Sequence, residues 1–217
     1  MTSKAGTVHE QLLAHSGSLF EDFYRIYSES MPTREQKPRP QIAAMINRPD
    51  YFVLLARRDD IVIGFSILFI PSREAFSLLE YMAVDSPYRN MGIGSELFHA
   101  SIHAVASDRS DIPTLLEVES DREASADLPM RRRRQLFYRR LGCLRVDRLS
   151  YVLPLPGEGP PPEMDLFVYL KDKSQIILKS ELEHWLKVVY QTVYDVSPDD
   201  PRIHAMLKHV GNPVGLC

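Results

Sequence analysis

The residues of this chain best placed to do chemistry lie between Glu80 and Phe98, in EYMAVDSPYRNMGIGSELF. The segment reads as a strand, a tight turn carrying Arg89-x-x-Gly92-x-Gly94, and an amphipathic helix that begins inside the turn. A helix start leaves several backbone N–H groups without intrahelical partners and places them at the positive end of the helix dipole. Such a junction is an anion site, and its usual anion is a phosphate or pyrophosphate. Gly92 and Gly94 let a ligand approach the backbone closely, because neither has a Cβ. Arg89 adds a charged donor at the same place. The spacing fits neither the dinucleotide G-x-G-x-x-G nor the P-loop G-x-x-x-x-G-K-[ST].

The segment resembles the acyl-CoA pyrophosphate loop of the GNAT superfamily of N-acetyltransferases. That pattern is an apolar strand ending near Val, then Arg or Gln, two variable residues, Gly, one residue, and Gly or Ala. Val84, Arg89, Gly92 and Gly94 match it. A second segment, Phe137-Tyr138-Arg139-Arg140-Leu141-Gly142, resembles the family's F/L-Y-x-x-x-G-F signature, with Cys143 in place of the final aromatic. The resemblance covers residues 19–153. It implies an α/β fold with a mostly antiparallel central sheet, helices on both faces and one splayed parallel strand pair. It also implies acetyl-CoA as cosubstrate, held by Arg89, Asn90, Met91, Gly92, Ile93, Gly94 and Ser95. Met82, Ala83 and Val84 would offer backbone groups to the pantetheine arm.

Acyl transfer to an amine sets two proton problems. An alkylammonium must lose its proton before it can attack, and the departing thiolate gains from a donor. The resemblance gives the second task to Tyr138, whose phenol keeps its proton at neutral pH. For the first, Leu116-Glu117-Val118-Glu119 resembles the family's L-E-V-x segment, which makes Glu117 the first candidate base. Glu80 is the second, and Glu119 shares strand parity with Glu117. Apolar neighbours Leu115, Leu116 and Val118 would desolvate Glu117 and raise its pKa. The Ser120–Pro129 loop makes the Glu117-to-Tyr138 separation longer than the family pattern. A rival reading of the same motifs is an acyl-CoA-binding or sensor module without turnover.

These residues need elements to position them. Apolar spacing predicts helices over Ser18–Ser30, with Ser18 as cap, and over Pro40–Asn47. Strands follow at Tyr51–Arg57, Ile61–Ile70 and Glu74–Val84, consecutive enough for an antiparallel meander. A helix over Ile93–Ser107 buries Ile93, Leu97, Phe98, Ile102 and Val105, and joins the third strand to a parallel one at Thr114–Glu119. Met130–Leu141 reads as a helix stopped by Gly142, and Leu149–Leu153 and Leu166–Leu170 as a final hairpin. A proline-rich connector runs over Pro154–Glu163. Residues 1–17 are polar, with room for a short strand or helical turn.

A second region follows. Residues 1–172 make the catalytic domain, and 173–217 a helical extension with helices over Ser174–Tyr194 and Asp199–Val210. The stripe of Leu182, Trp185, Leu186 and Val189 is too apolar to stand free, so it packs on the domain or at a homodimer contact.

Composition bounds the rest. The chain has 217 residues, 44% of them hydrophobic and 25% charged, with a net charge of −3, which gives no reason to expect nucleic acid. The Arg131–Arg134 run with Arg139 and Arg140 is the one basic cluster, read as a solvated helix face or a phosphate contact. Two cysteines and seven histidines show neither a disulfide framework nor metal-ligand spacing. No apolar run reaches membrane-spanning length, and no signal core opens the chain, so a cytoplasmic location is expected. The acceptor is expected to be a small-molecule or peptide amine.

Overall fold

The computed structural model describes residues 6–108, 111–122, 124–155 and 163–217. The chain forms two compact units. One comprises residues 1–73 and 77–110, the other residues 74–76 and 111–217.

The first unit is built on four antiparallel strands, β1 (Val8–Gln11), β2 (Tyr51–Arg58), β3 (Ile61–Phe69) and β4 (Ser77–Val84), paired in that order. The expected meander is therefore present, and a short strand precedes it within the polar N-terminal segment. β4 begins three residues later than its apolar pattern predicts, because Ser72 to Ala75 form turns and bends. Helix α1 (Ser18–Ser30) packs against β3 and β4, α2 (Arg39–Ile46) against β2, and α3 (Ile93–Asp108) against β2, β3 and β4.

Alternation along β3 decides which helix sees which side chain. Phe65 meets Phe23 of α1 edge-on, with ring centroids 4.9 Å apart. The next residue, Ser66, meets Ser101 of α3 through a buried hydroxyl pair at 2.7 Å. Helices thus cover both faces of this sheet. Gly64 is required where α3 and β4 close in, since a Cβ there would stand 2.9 Å from the Ala83 carbonyl oxygen. Ile93, Leu97, Phe98 and Val105 are buried as expected of α3. Each fully buried Leu or Phe contributes about 1.5–3 kcal/mol over an exposed one. Ile102 is only half-buried, and Ser101 takes the buried position beside it. Ser18 does not cap α1. Gly17 occupies that position at φ 90°, a left-handed turn open to glycine, and no side-chain cap bond forms.

The second unit is built around β8 (Glu163–Tyr169), which pairs antiparallel with β5 (Thr114–Glu119), β6 (Leu144–Arg145) and β7 (Tyr151–Val152). The two-residue β6 is too short to show alternation, and β7 is narrower than the predicted Leu149–Leu153. The proline-rich connector lies largely outside the described residues. Helix α4 (Leu128–Arg140) starts two residues earlier than expected, with Pro129 in its first turn. Gly142 ends it at φ 88°, and Cys143 N–H donates to the Tyr138 carbonyl at 3.0 Å.

The C-terminal helices belong to this unit. α5 (Lys179–Thr192) starts five residues after Ser174, the outer bound expected for it, and next to Ser180, whose type and nearby acids fit a helix start. Asp172 draws in the Ser174 N–H at 2.9 Å and holds that segment in a turn. Glu181 then accepts from the Leu178 N–H at 2.7 Å, which fixes the helix start there. α6 (Pro201–Leu207) opens on Asp200, whose side chain accepts from Arg202 N–H at 2.9 Å, with Pro201 in the first turn. Leu182, Trp185, Leu186, Val189 and Tyr190 are all buried, and Trp185 stacks on Phe76 at 5.6 Å. The Tyr190 hydroxyl donates to the Val152 carbonyl of β7 at 2.6 Å. Tyr190→Phe is expected to cost about 1 kcal/mol in urea unfolding, the net worth of one hydrogen bond. An unchanged midpoint would show that this bond does not hold the helix. No helix among the described residues is long and apolar enough to cross a membrane.

Candidate active site

The candidate residues divide between the two units, and each group has its own local chemistry. In the first unit β4 runs into a one-turn 3-10 helix, Ser86–Tyr88, and then into the glycine turn. Asn90 and Gly92 both take positive φ, 67° and 87°. Two left-handed residues so close together reverse the chain sharply enough for α3 to start at Ile93. Gly92 carbonyl accepts from Ser95 N–H at 3.0 Å and Glu96 N–H at 3.1 Å, which closes the first turn. The N–H groups of Ile93 and Gly94 belong to the first-turn set that has no intrahelical acceptor.

The space is as open as an anion cradle requires. A Cβ built on Gly92 would meet nothing nearer than Glu96 Oε1 at 4.0 Å. Arg89 folds back on the strand: its Nε donates to the Val84 carbonyl at 2.9 Å, and Nη2 reaches Ser30 Oγ at 3.5 Å. The guanidinium therefore braces the turn as well as charging it. Met82, Ala83 and Val84 lie in the half-buried end of β4, whereas Ser77–Leu79 are fully buried. Met91 is exposed and Ser95 half-buried.

Glu80 shares β4 with these residues, but its carboxylate is enclosed. Its side chain is 2% exposed, and Lys37 Nζ sits 2.9 Å from Oε1. Burial raises its pKa, and the Lys37 ammonium works against that rise. The nearby Tyr51 phenol is pushed up by burial and by the Glu80 charge. Sequence spacing could not reveal Lys37 as the partner, since it lies in the connection between α1 and α2, far from β4 in the chain.

In the second unit Glu117 stands on β5 opposite Leu166 of β8. Both carboxylate oxygens accept phenolic hydrogen bonds. Tyr151 of β7 donates to Oε1, and Tyr194, just past α5, donates to Oε2 at 2.5 Å. Burial, then the Glu117 charge, pushes the Tyr151 phenol well above its ordinary value, so it acts only as a donor. Neither tyrosine was a candidate from sequence. The one available signal was the four-residue spacing of Tyr190 and Tyr194, which places two phenols on one helical face.

Glu119 serves a different end. Its carboxylate pairs with Arg134 and lies 4.0 Å from Arg131 Nε. Gln135 Nε2 adds bonds to the Glu119 carbonyl at 3.0 Å and to the fully buried Asp165 at 2.7 Å. The arginine run thus splits: Arg131 and Arg134 tie α4 to β5, while Arg132 and Arg133 are exposed. This network holds the helix that carries Tyr138. The Tyr138 side chain is buried, and burial pushes its pKa up to about 12. Burial also pushes the Cys143 thiol up to about 12. No group of His, Cys, Asp and Glu suited to a metal occurs among the described residues.

The chain belongs to the acetyltransferase (GNAT) family, whose model matches residues 20–142. Solved structures share the fold. A protein from Bacteroides thetaiotaomicron assigned to the GNAT acetyltransferases aligns at TM-score 0.64 and 22% identity, over 82% of this chain and 93% of that one. An aminoglycoside 6′-N-acetyltransferase complexed with coenzyme A gives 0.60 and 17%, over 77% and 99%. The Escherichia coli ribosomal-protein-S18-alanine N-acetyltransferase gives 0.54 and 16%, over 78% and 97%. No curated protein matches the sequence significantly.

Proposed function

We propose that the protein is an N-acetyltransferase that moves an acetyl group from acetyl-CoA to a primary amine, by direct attack in a ternary complex. The observation that carries this reading is the Arg89–Ser95 turn, open over Gly92 and set at the N-terminus of α3. Its residues would hold the pyrophosphate, and Met82, Ala83 and Val84 would offer backbone groups to the pantetheine arm. Acetyl-CoA, when bound, supplies an acetyl group activated as a thioester.

The protein's own part is proton management. Glu117 takes the proton of the acceptor ammonium, so that the amine has a lone pair with which to attack. Tyr138, still protonated at neutral pH, donates towards the thiolate that leaves. The Lys37 counter-ion on Glu80 favours Glu117 over Glu80 as the base. Direct attack is favoured because the buried Cys143 thiol stays protonated. The acceptor is a small-molecule or peptide amine, a range that spans the named substrates of the two characterised neighbours. A cytoplasmic location accompanies this reading.

Gly92→Asp tests the nucleotide end. It puts a negative charge and a Cβ at a φ of 87°, where L-residues are strained. Affinity for CoA by calorimetry is expected to fall more than about tenfold, on the scale of charge reversal at a helix N-terminus. Unchanged affinity would sink the assignment of this turn. Thiol release from acetyl-CoA with a panel of primary amines tests turnover. Tight acetyl-CoA binding with no release from any amine would make the protein a binding module.

A further inference from the structure

We infer that the C-terminal segment is a working part of the acceptor chemistry, with Tyr194 and Tyr151 as positioning residues that orient the Glu117 carboxylate. The inference rests on the reading of Glu117 as base. Both tyrosines lie beyond residues 20–142, the stretch matched by the family model, so the family motifs do not account for them.

The arrangement is built from three elements of one unit. Tyr190 fastens the end of α5 to β7, through its hydroxyl bond to the Val152 carbonyl at 2.6 Å. Arg202 of α6 lies over the Tyr190 ring, 5.8 Å from its centroid, and Met206 Sδ lies 3.1 Å from Val152 N. One turn past Tyr190, Tyr194 reaches Glu117 Oε2 at 2.5 Å, while Tyr151, the neighbour of Val152, reaches Oε1. The carboxylate is gripped by both oxygens from two different elements.

Packing alone does not ask for these hydroxyls. Phenylalanine would fill the same space at either position, but Glu117 would then lose a phenolic donor. Fixing a free glutamate side chain costs rotamer entropy, and here folding has already met that cost. The result is a base with one orientation before substrate arrives. The order of elements follows: β5 supplies the base, β7 and the C-terminal segment supply its aim.

The test is a double-mutant cycle on the full chain. Tyr194→Phe, Glu117→Gln and the double variant are compared by thiol release from acetyl-CoA, with the best acceptor of a primary-amine panel. CoA affinity is measured by calorimetry and stability by thermal melting. Tyr194→Phe is expected to lower kcat about tenfold, the equivalent of one hydrogen bond to a charged group. Amine KM and CoA affinity should stay near wild type, and the melting temperature should fall only by what one lost hydrogen bond gives, while a purely structural role would lower the melting temperature and leave kcat of the folded protein unchanged. The double variant should be no slower than Glu117→Gln alone, because a phenol has nothing to aim once the charge is gone. Wild-type kcat in Tyr194→Phe beside a slow Glu117→Gln would overturn the positioning role and leave the base standing. Additive losses would place Tyr194 on some other group, and a faster Tyr194→Phe would make the segment a brake; either overturns the inference. Full activity in Glu117→Gln would remove the base and the inference with it.

Discussion

Replacing Tyr138 by Phe is expected to lower kcat by about 10²-fold, within the range set by a single positioned acid. CoA affinity should hardly change, since the lost hydroxyl acts on charge that develops only as the thiolate departs. The expected split follows from the burial of the side chain. A phenol whose pKa has been pushed up to about 12 keeps its proton across neutral pH, so it donates and does not act as a base. The ring remains in the variant, and its packing against Phe137 at 5.1 Å is retained. Steady-state rates with acetyl-CoA and an amine, beside calorimetric CoA binding, check both halves. Undiminished kcat would return Tyr138 to a packing role.

Lys37→Met should weaken the fold rather than the chemistry. It removes the ammonium beside the Glu80 carboxylate and leaves the Tyr51 hydroxyl and the Arg48 charge as its other supports, and breaking a buried pair in this way costs up to about 3–5 kcal/mol. The pH dependence gives the sign. Glu80 binds its proton more tightly in the folded chain than in the unfolded one, because burial raises its pKa. Stability from this group is therefore full below the ordinary carboxylate value, and is lost as pH rises through the folded value. Without Lys37 the folded value rises further. The deficit of the variant should be greatest at neutral pH and shrink as pH falls towards the ordinary carboxylate range. Urea unfolding of both proteins across that range is the measurement. A deficit independent of pH would mean that Lys37 contributes through its stem and not through Glu80.

Periodicity made the first unit legible. The buried face of α3, the meander and the glycine turn follow from spacing that depends only on neighbouring residues. Element starts were less legible where side chains decided them. Gly17 took the place expected of Ser18, and Asp172 with Glu181 delayed α5 to Lys179. The site shows the same division. Arg89, Gly92, Gly94 and Tyr138 sit in short contiguous motifs. The partners of the carboxylates do not: Lys37 is 43 residues from Glu80, and Tyr194 is 77 from Glu117. Local pattern carries no information about such pairs, because the sheet brings them together only after folding. The basic run is one cluster in sequence, yet Glu119 takes Arg134 and leaves Arg132 to solvent.

The buried hydroxyl pair between β3 and α3 bears on the glycine turn. Ser101 Oγ donates to the Leu97 carbonyl at 2.7 Å, so its single proton is spent, and Ser66 must donate to Ser101. Only one proton order satisfies both atoms. The pair acts as a key in a shaft: α3 cannot roll about its axis without breaking a bond in a place water does not reach. Rolling the helix would swing the N–H groups at its first turn away from their common focus. Their aim is therefore set nearly two turns downstream, by two small side chains buried away from the glycine turn.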